Sequence, residues 1–94
     1  MDFKAYEQAF EPHILERGRA YFAEGAVKNL RRDGGDYVAR VQGSDAYDVH
    51  LSAQSLDDSD CSCPHLADGN LCKHLAAVLY AAWEATGADG QGRA

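Results

Sequence analysis

Apolar positions in the first quarter of the chain recur at helical intervals. Phe3, Tyr6 and Phe10 are spaced by steps of three and four, the interval at which side chains return to one face of a helix, and Asp2 stands where a capping residue belongs. Pro12 suits the first turn of a second helix, because its missing N–H would have no partner there. Through "EPHILERGRAYFAEG" the stripe Ile14, Leu15, Gly18, Tyr21 and Phe22 leaves Glu16 and Arg19 outside, and Gly25 supplies the stop.

After Gly25 the period falls to two. Tyr37, Ala39 and Val41 alternate with polar or exposed neighbours, and Tyr47, Val49 and Leu51 alternate with Asp48, His50 and Ser52, the pattern of half-buried strands. Asp33-Gly34-Gly35-Asp36 between "VKNLRR" and "YVARV" predicts a hairpin turn, since glycines accept the positive φ of tight turns. A three-residue loop at Gly43-Ser44-Asp45 sets Val41 opposite Tyr47, Ala39 opposite Val49 and Tyr37 opposite Leu51. A two-residue loop would shift the register by one and bring Val41 against Asp48. The same register pairs Arg40 with Asp48 on the outer face.

"KHLAAVLYAAWEATG" is rich in Ala and Leu with no interior Gly or Pro, which predicts a helix with Leu75, Val78, Leu79 and Ala82 inward, Tyr80 and Trp83 at the margins and Gly87 as the end. The expected fold class is α+β: N-terminal helices, a three- to four-stranded antiparallel sheet, and a loop leading into a C-terminal helix. Residues 1–87 are expected to form one domain and residues 88–94 a flexible tail.

Composition narrows the function. A chain of 94 residues builds one thin core, for which an additional staple is useful. The net charge of −6 argues against coating nucleic acid by bulk electrostatics. Its distribution is uneven: residues 17–40 hold six basic side chains against three acidic ones, whereas residues 45–68 hold six acids and no Lys or Arg. Possible nucleic-acid contacts are therefore Arg17, Arg19, Arg31, Arg32 and, further on, Lys73. The start "MDFKAYEQAF" lacks the apolar run of a secretory signal, and no stretch reaches membrane-spanning length, so a cytoplasmic, reducing setting without membrane contact is expected.

All three cysteines and two of the four histidines fall in "CSCPHLADGNLCKH", residues 61–74. Three is an odd number for disulfides, and Cys61 and Cys63 are too close to bridge without strain. Zinc prefers about four soft or borderline donors in a tetrahedron. In an extended segment residues i and i+2 point the same way, so Cys61 and Cys63 can offer two sulfurs from one side. On a finished helix i and i+2 diverge, so Cys72 must precede the last helix and His74 sit in its first turn. Pro64 and Asp68-Gly69-Asn70 supply the bends between the pairs. The exposed N–H groups of the helix start and Lys73 favour deprotonated thiols. His65 is the competing donor, but it stands beside a proline in a polar loop, whereas His74 completes two matched pairs. Iron–sulfur ligation by the same cysteines is chemically open and unusual at such spacing. With every thiol assigned to metal and no position left for water, the expected site is structural, one zinc ion held by Cys61, Cys63, Cys72 and His74, with no enzyme activity.

"CSCPHLADGNLCKHLAAVLYA" resembles the SWIM zinc finger, in which CxC and, after a variable gap, CxH lead into an apolar helix. "RGRAYFAEGAV" and "VQGSDAYDV" are similar to segments that precede the finger in bacterial SWIM proteins, extending the likeness over roughly residues 10–84, with a finger core at about 46–86. The resemblance implies the same four zinc ligands and a module that binds DNA or protein beside helicases, transposases and recombination or ubiquitin-pathway proteins. None of those larger activities transfers to this chain. The function expected is a non-catalytic zinc-binding module for DNA or protein interaction, accessory to nucleic-acid-processing machinery, with a protein-only adaptor as the alternative and no small-molecule substrate.

Overall fold

The computed structural model describes residues 3–43, 45–62 and 72–86. Two helices, α1 (Phe3–Gln8) and α2 (Pro12–Ala23), precede a sheet formed by β1 (Val27–Asp33), β2 (Asp36–Gln42), β3 (Ala46–Leu51) and the short β4 (Asp60–Cys61), and helix α3 (Lys73–Ala85) follows. The strands lie in chain order, each antiparallel to the next, so β1 and β4 are the edges among the described residues. The α+β class holds, with β4 the short fourth strand. Asp2, Gly87 and the expected tail at 88–94 lie outside the described residues.

Each boundary has a local cause. Pro12 occupies the first turn of α2, as its lack of an N–H allows. At the other end Gly25 takes φ +80°, and Gly25 N–H and Ala26 N–H donate to the carbonyls of Phe22 and Tyr21 at 3.1 and 2.9 Å. That pair of bonds satisfies carbonyls the helix end would otherwise leave without partners. Gly34 and Gly35 both adopt positive φ, 61° and 100°, between the paired Asp33 and Asp36, matching the right-handed twist of the strands they join.

The β2–β3 register is the expected one: Val41 faces Tyr47, Ala39 faces Val49, Tyr37 faces Leu51 and Arg40 faces Asp48. Arg40 clasps Asp48 with two N–H groups on one carboxylate oxygen, each at 3.1 Å. β1 departs from simple alternation. Its pairing slips between Lys28 and Arg31, where Asn29 takes φ 55°, and the bulge turns Leu30 inward beside Val27 while Arg31 faces out.

The core lies between the inner sheet face and the helices. Val41, Leu51, Leu75, Ala76, Ala77, Val78, Leu79 and Ala82 have no accessible surface. The buried face of α3 is wider than the expected stripe because it packs on two sides, against the sheet and against α2. Gly18 makes the second contact possible: a Cβ built there would stand 2.5 Å from the Cβ of Ala76. Phe3 stacks on Trp83 at 5.6 Å, and Tyr80 donates to Glu7 Oε2 at 2.7 Å while accepting from Arg19 at 3.1 Å, tying the three helices together.

At the far end of the sheet, Asp36 accepts from Ala53 N–H at 2.8 Å and lies 2.7 Å from His50 Nε2. The Ala53 hydrogen bond first, and His50 second, hold the Asp36 carboxyl below its ordinary range.

Two predictions follow from these contacts. Ala is normally the better helix residue by about 1 kcal/mol, but overpacking costs about 1–3 kcal/mol, so Gly18→Ala should lower the thermal midpoint. A midpoint at or above wild type would mean that α3 can yield. A carboxyl with a lowered folded-state pKa stabilises above its unfolded pKa and loses that contribution as pH falls through the folded value. Asp36→Asn should therefore be less stable at neutral pH, and the gap to wild type should close on acidification; a gap independent of pH would remove the Asp36 carboxylate from this role.

Candidate metal centre

The candidate centre forms where β4 faces the start of α3. Cys61 pairs with Val49, whose side chain is buried, so strand parity also turns the Cys61 sulfur inward. Ser62 anchors this short strand twice: its N–H donates to the Asp48 carbonyl and its hydroxyl accepts from Asp48 N–H, both at 3.0 Å. Opposite, Cys72 is the N-cap of α3 in extended backbone, and its sulfur accepts the Leu75 N–H at 3.4 Å. His74 follows in the first turn, as the i, i+2 argument requires.

Cys61, Cys72 and His74 are 5%, 1% and 5% exposed, and one donor atom from each lies within 4.8 Å of the others. The Cys61 sulfur is 3.9 Å from His74 Nδ1. A tetrahedron with zinc–sulfur bonds near 2.3 Å and zinc–nitrogen bonds near 2.0 Å has edges of about 3.5–3.8 Å, so the Cys61–His74 pair is close to metal-bound spacing and the other pairs, within 4.8 Å, would draw in by at most about 1 Å. The chemistry fits as well. Two buried sulfurs and an imidazole are a soft set, and the Leu75 N–H stabilises the anionic form of Cys72 at the positive end of the helix dipole. Cys63, expected to complete the set, and its competitor His65 lie outside the described residues.

The His74 ring rests between two tyrosines, Tyr47 with its centroid 4.5 Å away and Tyr21 at 5.5 Å. Sequence reasoning placed both in the core and missed this contact. The signal was available for Tyr47, which shares the inner face with Val49, the partner of Cys61. For Tyr21 there was none, since nothing local tells which side chain its helix meets.

The five basic candidates are not brought onto one surface. Arg17 and Lys73 share a pocket with His13, Ile14, Cys72 and His74, with the Lys73 ammonium 5.7 Å from the Tyr21 ring centroid. Arg19 is engaged with Tyr80 and lies 3.9 Å from Glu7. Arg31 lies on the outer sheet face, and Arg32 sits 5.7 Å from the Tyr37 ring centroid, on the other side of β1. None of the described helices is long and apolar enough to cross a membrane.

No curated protein and no solved structure matches the chain significantly. Residues 47–82 match the family model of the SWIM zinc finger, a span running from β3 through the donor cluster into α3. A buried Cys-Cys-His group whose donor atoms lie within 4.8 Å of one another, inside the span that matches the SWIM zinc finger, supports a structural zinc site.

Proposed function

We propose that this chain is a non-catalytic interaction module of one domain, residues 1–87, in which Cys61, Cys63, Cys72 and His74 hold one zinc ion. Its partner is DNA, and it serves nucleic-acid-processing machinery in a reducing, cytoplasmic setting. The observation that carries the reading is the convergence of Cys61, Cys72 and His74 between β4 and α3. A metal there joins a two-residue strand to a helix start and fixes the surface around both. With all thiols on the metal, none remains as a nucleophile. The placement of Arg17 and Lys73 together beside that centre supports an anionic partner.

The protein-adaptor reading is favoured by a different feature. The outer sheet face carries an open groove of about 550 Å³ lined by Arg31, Arg40, Asp48, His50 and Asp60. Its mixed charge suits a polypeptide better than a phosphate backbone.

Structural zinc contributes on the order of 10 kcal/mol, comparable to the whole stability of a small domain. The purified protein should hold one equivalent of zinc by elemental analysis, and Cys72→Ser or Cys63→Ser should lose it with a large fall in melting temperature. Full zinc and unchanged melting in either variant would remove that residue from the centre. For the partner, duplex DNA titrated at two salt concentrations should bind more weakly at the higher one, with log K falling by about 0.9 per phosphate contact for each unit of log salt. No binding even at low salt, with salt-insensitive capture of a protein, would favour the adaptor.

A further inference from the structure

We propose that the pocket formed by His13, Ile14, Arg17, Cys72, Lys73 and His74 is a phosphate-binding site. It measures about 290 Å³, at the small end of the range of ligand pockets and ample for a phosphate group. The inference deepens the nucleic-acid reading by naming where a phosphate sits.

The pocket combines two cations with the N-terminal end of a helix, which neither of the other two described pockets does. The outer sheet groove includes Asp48 and Asp60, and Arg40 is already committed to Asp48. The pocket of Leu30, Arg31, Arg32, Tyr37, Ala85 and Thr86 abuts the C-terminal end of α3, where the helix carbonyls are negative. In the third pocket no carboxylate lines the wall among the described residues, and Arg17 and Lys73 supply two permanent positive charges. Glu11 approaches His13 to 4.0 Å, but both side chains are well exposed and their interaction is screened.

The strongest opposing charge is the centre itself. A zinc ion with three thiolates and one imidazole carries one net negative charge. Arg17 and Lys73 exceed it, so the pocket stays positive after the centre is neutralised. The two cations also suit the task differently. Arg offers a planar fork of donors and Lys a mobile point charge, and both project from helices packed together through Gly18 and Ala76.

The test uses the zinc-loaded full chain, titrated with inorganic phosphate, a mononucleotide and duplex DNA while backbone amide signals are followed. Phosphate should shift the signals of His13, Arg17 and Lys73. Arg17→Glu should weaken duplex binding by about tenfold or more and reduce the salt slope by about 1, with zinc content kept at one equivalent. Lys4→Glu, an equal charge reversal at an exposed position on α1, should leave binding unchanged, and Arg17→Ala, which adds no carboxylate, should show a smaller loss in the same direction. Phosphate or mononucleotide binding without duplex binding would support the pocket and overturn the nucleic-acid reading. Duplex binding that ignores Arg17 would leave that reading intact and overturn the pocket. Loss of zinc in Arg17→Ala, without phosphate binding in wild type, would show that Arg17 only balances the thiolates and would likewise overturn it.

Discussion

Helix α3 is pressed between the inner sheet face and α2, and this double burial aligns Cys72 and His74 with Cys61. Leu75, Val78, Leu79 and Ala82 supply its large apolar burial. The α2 side supplies proximity, because Gly18 faces Ala76 where a Cβ would collide. A helix held on only one side could rotate or slide, and a displacement of 1 Å is large beside metal–ligand bonds of about 2.0–2.3 Å. Close packing resists such motion, since interiors are as dense as organic crystals and voids are costly.

The metal and the core act on opposite ends of one problem. β4 has only two residues and pairs through Val49 and His50, too little for an independent edge. Its hold on the sheet comes from Ser62 bonding Asp48 and from whatever joins Cys61 to α3. A zinc ion held by Cys61 and the donors at the start of α3 would supply that link with directional bonds, in a domain of a size that buries little apolar surface. The electrostatics are arranged accordingly. The Cys72 sulfur takes the place of a capping oxygen at the helix start, so one hydrogen bond both ends the helix and stabilises a thiolate.

Much of this was legible in the sequence wherever a side chain's neighbour is set by local periodicity. Alternation placed Val41 against Tyr47 and Arg40 against Asp48, because one residue of slip would have buried Asp48. The i, i+2 rule put Cys72 before α3 and His74 inside it. Legibility ended where a distant segment decides. The bulge at Asn29 answers the fit of β1 to β2 and has no local mark beyond an Asn that tolerates positive φ. Ala76 and Ala77 read equally well as surface residues until α2 lies over them. Arg17, Arg19, Arg31 and Arg32 read as one basic stretch, yet helix and strand geometry sends them to separate surfaces, two of them onto aromatic rings and one toward Lys73.

That dispersal bears on how so acidic a chain can meet an anion. Spread over the surface, nine basic side chains and fifteen acidic ones give a net field that repels phosphate out to about 10 Å, beyond which ordinary salt screens it. Only short-range contacts escape that field, so affinity must come from a concave place where cations are near and carboxylates are not. Among the described residues the pocket shared by Arg17 and Lys73 meets this condition, and one of its walls is the turn that carries Cys72 and His74. Lys73 lies between the two donors in sequence, so the turn that points their sulfur and nitrogen at the metal also sets where its stem departs.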